Sequence, residues 1–145
     1  MSDLTVQKTA ISSDAALRLV EAAVAHSARI EKAMSIAVVD DAGDLKAFVR
    51  MDGAYKGSLQ IAQDKAYSAV LMQRPTGAWP QILDSDPVLA AGLPRATERL
   101  VTFGGGVPIV VDGVVVGAVG VSGGHYTQDT EVAEAAITAV LGTAT

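Results

Sequence analysis

The residues best suited to chemistry stand in one short stretch, residues 120–125, where a valine-rich strand runs into a helix. Glycine lets a ligand approach the backbone closely, and the first N–H groups of a helix have no partner within that helix. A strand that ends in Gly123 and Gly124 just before a helix therefore offers N–H groups to an anion. His125 adds an imidazole at the same junction. The stretch predicts one wall of a binding site, and a tight turn that serves only packing is the alternative.

Two cations elsewhere in the chain could join this wall. Arg50 ends a predicted strand, and Lys65 stands among Ala62, Ala66 and Ala69 on a predicted helix. Arg50 and Lys65 together would form a pocket for a carboxylate or a propionate. A desolvated lysine has a lowered pKa and can serve as acid, base or nucleophile. The alternative is a lysine whose stem only covers apolar surface.

His26 and His125 are the two histidines of the chain, and it has no cysteine. Neutral imidazole is a suitable axial ligand of haem iron, so each histidine is a candidate for that role. Neither has a partner at the spacing of a metal site, so no other metal centre is predicted. Asp129, Glu131 and Glu134 follow on the last helix, where acidic side chains near the N-terminus stabilise it.

The composition excludes several classes of partner. The chain has 145 residues, of which half are hydrophobic and 19% are charged, which is enough for one domain with a sizeable core. The net charge of −5, with no basic run and 4% aromatic residues, argues against nucleic-acid binding. No apolar stretch reaches the roughly 18 residues of a membrane span, and residues 1–11 lack the pattern of a signal peptide. With no cysteine, a cytoplasmic location is predicted.

The remaining patterns predict the elements that must position these residues. The sequence predicts helices over about residues 14–32, 56–73 and 128–141, and hairpins of residues 35–40 with 45–51 and 107–111 with 114–121. Leu17 and Val20 are expected on the apolar stripe of the first helix. Residues 74–95 hold Trp79 and four of the five prolines, so they predict an irregular segment. This segment would be a binding loop or an oligomer contact anchored by Trp79.

Hairpins pair antiparallel, and the helices must cover the faces of the resulting sheet. The expected fold class is therefore α/β, with one antiparallel sheet of two hairpins flanked by helices in a single domain over residues 1–145.

Several motifs resemble the GlcG/HbpS family, also called the haem-degrading or DUF336 family, which includes the C-terminal domain of PduO-type proteins. They follow one another in order along residues 35–45, 48–54, 61–66, 105–109 and 112–124, with Gln128 and Asp129 after them. The resemblance implies a profilin-like fold and homo-oligomers. It also implies the following pocket residues: Arg50, Asp52, Lys65, Gly123, Gly124 and Asp129. His125 stands where many relatives are expected to have a small or polar residue, and we add it to the candidate ligand-binding set.

Two functions compete from the sequence, and a purely structural oligomer is a third alternative. The first is a cytosolic small-molecule binding protein whose ligand is haem or another tetrapyrrole, as in some members of the family. The second is a cofactor-free enzyme that uses His125 or Lys65 as acid/base group on a small carbonyl or carboxylate compound. In that enzyme the glycine-rich backbone would stabilise developing negative charge. Both functions require Arg50, Lys65 and the Gly123-Gly124 turn to border one cavity.

Overall fold

A computed structural model describes residues 3–142. The elements follow in the order α1 (Ser13–Arg29), β1 (Ser35–Asp40), β2 (Leu45–Arg50), α2 (Ser58–Met72), a 3₁₀ turn (Thr76–Ala78), α3 (Trp79–Asp84), α4 (Pro87–Ala96), β3 (Gly106–Val111), β4 (Val114–Ser122) and α5 (Tyr126–Leu141). The predicted α/β class is confirmed. None of the helices in residues 3–142 is long and apolar enough to cross a membrane.

The four strands form one antiparallel sheet in the order β2-β1-β4-β3. The two predicted hairpins are confirmed, and the pairing of β1 with β4 joins them. Ser35 of β1 lies opposite Arg50 on one side and Ser122 on the other. Gly106 begins β3 beside Gly120 of β4. Arg50, Ser122 and Gly106 therefore lie at the same end of the sheet, which we call the site end.

Helices cover both faces of the sheet. α2 packs on one face, while α1 and α5 pack together on the other. α1 begins at the cap formed by Ser12, whose hydroxyl accepts a hydrogen bond from Ala15 N–H. Its buried face carries Leu19 and Val20, whereas Leu17 is 57% exposed. The expected stripe was therefore wrong at Leu17, because the helix turns Leu19 inward instead.

α2 lies directly on glycine backbone at the site end. A Cβ at Gly120 would overlap the carbonyl oxygen of Ala62 and lie 2.5 Å from Ala66 N. A Cβ at Gly106 would overlap the carbonyl oxygen of Lys65. The sheet can therefore hold the α2 backbone against the strand ends only because these two strand positions have no side chain.

The prediction that residues 74–95 are irregular is wrong, because a 3₁₀ turn and two short helices occupy most of them, and two of the four prolines stand where a helix begins. Pro80 lies in the first turn of α3, and Pro87 is the first residue of α4. A proline lacks only an N–H that the first helical turn would leave unpaired anyway. The prediction that Trp79 anchors an oligomer is also wrong, because its side chain is buried inside the chain and is only 5% exposed.

Candidate functional site

Lys65 extends from α2 past the strand ends at the site end and reaches α5. Its Nζ donates hydrogen bonds to the carbonyl oxygen of Val121 at 2.9 Å and to Asp129 Oδ2 at 2.8 Å. The two charged side chains are 1% and 3% exposed. This buried ion pair therefore connects the helices on opposite faces of the sheet, and neither charge is solvated by water.

Burial is the largest influence on both charges of the pair. It lowers the pKa of Lys65, and the hydrogen bond and charge of Asp129 offset part of that shift. Burial also raises the pKa of Asp129, against the opposing effects of Lys65, the Gly124 N–H and His125. Both shifts favour the neutral forms, so the rest of the fold must hold this pair against its desolvation cost.

Gly105 and Phe103 shape the path of the Lys65 side chain, and the sequence reasoning assigned neither of them a role. Gly105 has φ +131°, and a Cβ there would lie 2.6 Å from Lys65 Nζ and 2.8 Å from its Cδ. Only glycine can both adopt this positive φ angle readily and leave room for the Lys65 side chain. The Phe103 ring has its centroid 5.1 Å from Nζ and remains 43% exposed. It therefore forms an aromatic cover over the ammonium, with a cation–π contact.

The predicted free N–H groups at the start of α5 are occupied by the chain's own side chains. Gly124 N–H donates to Asp129 Oδ1 at 2.9 Å, and His125 N–H donates to Gln128 Oε1 at 3.0 Å. Thr127 N–H donates to His125 Nδ1 at 3.3 Å. The expectation that these donors await an external anion is therefore wrong. The same caps start α5 at Tyr126, two residues earlier than predicted.

Gly123 is required by the turn itself. Its φ is +145°, and a Cβ there would lie 2.7 Å from the carbonyl oxygen of Ala33 and 3.0 Å from Met34 Sδ. A side chain at Gly124 would meet Gln128 Oε1 at 2.7 Å. Both glycines therefore serve the close packing that the sequence left open as their alternative role.

His125 is exposed and is oriented by its neighbours. Its Nδ1 lies 2.8 Å from Thr127 Oγ1, and its ring centroid lies 4.0 Å from that of Tyr126. Within residues 3–142 no hydrogen bond to its Nε2 is found. A cleft of about 410 Å³, which we call the α5 cleft, begins at the neighbouring residue. Its lining consists of Pro75, Gly77, Gly104, Tyr126, Thr127, Thr130 and Glu134.

Both ring nitrogens of His26, by contrast, have partners. Nε2 lies 2.6 Å from Glu131 Oε2, and Nδ1 lies 3.3 Å from Arg29 Nη2. The contact between His26 and Glu131 connects α1 to α5. Coordination of a metal by His26 would therefore break one of these two contacts, whereas His125 Nε2 has no hydrogen bond to lose among residues 3–142.

Arg50 and Asp52 lie at the site end but not beside Lys65. Through Ser35, Arg50 is two strands away from Ser122, which is roughly 10 Å at the usual strand spacing. The structure thus brings Lys65, Gly124, His125 and Asp129 together and leaves Arg50 and Asp52 in a neighbouring cleft of about 350 Å³, so the one shared cavity is not formed. The other residues of this Arg50 cleft are Val24, Val49 and Met51.

Comparison with known proteins decides the family. The model of the family described as haem-degrading protein HbpS-like matches residues 11–138. The chain belongs to this family. This HbpS-like chain is 34% identical to an uncharacterised 15.0 kDa protein of Citrobacter freundii, over 90% of this chain and 92% of that protein. It is 36% identical to protein GlcG of Escherichia coli K12, over 79% and 83% of the two chains.

Among solved structures, the haem complex of PduOC superimposes on this HbpS-like chain with a TM-score of 0.84. The two sequences are 31% identical, and the match covers 91% of this chain and 96% of PduOC. The predicted family is therefore confirmed, and a protein of the same fold is known with haem.

Proposed function

We propose that this HbpS-like protein is a cytoplasmic haem-binding protein, and that His125 is the axial ligand. The observation that carries the proposal is the state of the imidazole, in which Thr127 holds Nδ1 while Nε2 has no hydrogen bond among the described residues. Metal-bound histidines usually have their second nitrogen held in this way, because that bond fixes the tautomer and the ring orientation. The haem complex of the similar PduOC supports haem, or another tetrapyrrole, as the ligand.

The residues around His125 fit such a ligand. Coordination through Nε2 requires the proton to stand on Nδ1. In that tautomer Nδ1 gives up the hydrogen bond from Thr127 N–H and donates instead to Thr127 Oγ1, 2.8 Å away. The α5 cleft is lined by Tyr126 and Thr127, the two residues that follow His125 in the chain. Bound there, haem would supply an iron centre for redox chemistry or for binding a small molecule.

The two cations of the predicted anion pocket take different roles in this proposal. Lys65 is neutralised by Asp129, so it does not bind the ligand directly. Instead, the pair fixes Gly124 and the first turn of α5, and in this way it positions His125. Arg50 lines a separate cleft, so it takes no part in the proposed site at His125.

A haem titration of the full chain tests the proposal. The Soret band should develop on addition of haem to the wild type. His125→Ala should weaken binding by about 100-fold, and His26→Ala should retain it within about threefold, because His26 is engaged with Glu131. Circular dichroism of both variants controls for folding. An unchanged Soret titration in His125→Ala would refute the role of His125, and no Soret band in the wild type would refute haem binding altogether.

The second candidate is acid/base catalysis on a small carbonyl or carboxylate compound, favoured by an exposed imidazole beside a buried lysine. Lys65 is only 1% exposed, so the proton transfer would fall to His125. Exchange of the methyl protons of pyruvate in D₂O, followed by NMR, is a direct assay. The wild type should accelerate exchange and His125→Gln should not. No acceleration by the wild type would reject acid/base activity toward this 2-oxo acid.

A further inference from the structure

The α5 cleft has one wall made by the segment that joins α2 to α3. Pro75 and Gly77 of this segment line the cleft, and Thr76 between them is fully buried. Thr76 Oγ1 accepts a hydrogen bond from Gly106 N–H at 2.9 Å. Within the wall, Ala78 N–H donates to the carbonyl oxygen of Pro75 at 3.1 Å. The wall is therefore fixed to the first residue of β3, at the site end of the sheet.

Arg74 and Trp79 flank this wall in the chain and contact each other. The guanidinium carbon of Arg74 lies 5.1 Å from the centroid of the Trp79 ring. The ring is only 5% exposed, so the packing around it holds it in place and the stacked guanidinium with it. Arg74 directly precedes Pro75, and neighbouring Cα atoms are about 3.8 Å apart. The contact thus holds a positive charge beside the wall of the α5 cleft.

Arg74 carries a charge for which the chain supplies no counter-ion. Its side chain is exposed, and no acidic side chain within residues 3–142 forms an ion pair with it. Lys65, by contrast, is already paired with Asp129. A guanidinium presents its N–H groups as a planar fork that matches the two oxygens of a carboxylate. Arg74 is therefore free to pair with a carboxylate from outside the chain.

The charge in the cleft lining favours one orientation of such a ligand. Among the described residues that line the α5 cleft, Glu134 alone is charged, and it lies on α5. A ligand carboxylate is repelled by Glu134 and attracted by Arg74, so it should turn toward the wall of residues 75–77. Haem carries its propionates on one edge of the macrocycle, which suits a site with a single free cation on one side.

We propose that Arg74 binds a carboxylate of the ligand in the α5 cleft and orients the ligand by it. This inference rests on the proposed haem site at His125 and extends it, because it names the group by which the ligand is selected. The ligand class is a tetrapyrrole with free propionates. A tetrapyrrole whose propionates are esterified offers the guanidinium no charge and loses this contact.

The fluorescence of Trp79, the single tryptophan of the chain, measures porphyrin binding through its quenching. The full chain is titrated with protoporphyrin IX, which has the propionates of haem but no iron, so axial coordination does not contribute. Arg74→Met removes the charge and should raise the dissociation constant by about tenfold. Added salt should weaken binding to the wild type and hardly affect Arg74→Met. Arg50→Met, at an arginine of the separate cleft, is the matched control and should stay within about twofold.

Protoporphyrin IX dimethyl ester separates this contact from general damage to the site. The wild type and Arg74→Met should bind the ester equally. Equal losses for the ester and the free acid in Arg74→Met would overturn the proposal, and so would an unchanged affinity for the free acid. If haem still gives a Soret band with the wild type in those cases, haem binding stands and the role of Arg74 alone is rejected. A wild type that binds neither haem nor protoporphyrin IX would reject both.

Discussion

Replacement of Lys65 by methionine is the sharpest test of the buried pair. Methionine preserves most of the side-chain volume and removes the charge that lies 2.8 Å from Asp129 Oδ2. Asp129 is then left in the interior with the Gly124 N–H as its remaining donor among those described. An uncompensated buried carboxylate is strongly unfavourable, so the free energy of unfolding should fall.

The expected size of the effect comes from the burial of the pair. Both side chains are at most 3% exposed, and removal of one partner of such a pair costs about 3–5 kcal/mol. Asp129→Asn should cost a similar amount, since asparagine still accepts from Gly124 but leaves Lys65 unpaired. The double variant Lys65→Met with Asp129→Asn should lower the free energy of unfolding by much less than the sum of the two single effects, because neither buried charge then remains. Lys46→Met, at an exposed strand position, is the matched control and should change stability by no more than about 0.5 kcal/mol.

Urea unfolding of the four variants from pH 4 to pH 10 measures these changes in the free energy of unfolding and the direction in which each depends on pH. In Lys65→Met the folded-state pKa of Asp129 is raised, so stability present at low pH should be lost as pH rises through that pKa. In Asp129→Asn the folded-state pKa of Lys65 is lowered, so stability should instead increase as pH rises. The argument that this pair is buried and coupled would be refuted in either of two ways. The effects of the two single variants on the free energy of unfolding could add up to that of the double variant, or Lys65→Met could lower it by less than about 1 kcal/mol.

Three further predictions concern neighbouring residues. Thr127→Val should weaken haem binding by about tenfold with unchanged folding, because it removes the acceptor for His125 Nδ1–H; an unchanged titration would contradict this. Gly120→Ala should destabilise by about 3 kcal/mol in urea unfolding, because the added methyl meets the α2 backbone, whereas Gly57→Ala should be nearly neutral. Arg50→Ala should leave haem binding unchanged within about threefold, because Arg50 lines a separate cleft; a tenfold loss in the haem titration would contradict the placement of the ligand at His125.

The fold was predictable where local chemistry determines it. Valine-rich runs around Asp112 and Gly113 predicted a hairpin, and both residues have the positive φ angles that such a turn requires. The same local reasoning could not predict the short helices of residues 74–95. A proline that breaks a helix and a proline that begins one look alike without the caps on either side. The exposure of Leu17 likewise depends on how α1 rotates against α5, which helical periodicity does not specify.

The candidate site was less predictable, because its central contact is non-local. Lys65 and Asp129 are 64 positions apart, and their residue types permit many other arrangements. The alanines around Lys65 indicated burial correctly but gave no partner. Gly105 carried a signal that could have been used, since a glycine between two others at a strand start indicates that something passes close to the backbone. Phe103 carried no such signal.

The main revision to the sequence interpretation is chemical. A glycine turn before a helix suggested an anion site, and the structure supplies an anion from within the chain, the carboxylate of Asp129. That carboxylate binds Gly124 N–H through one oxygen and Lys65 through the other, so the motif connects α2 to the start of α5. Under our proposal the ligand contacts His125, whose backbone N–H donates to Gln128 and whose ring contacts Thr127. The buried pair thus fixes the turn at which α5 begins, and the exposed imidazole at that turn is the group to which our proposal assigns the ligand.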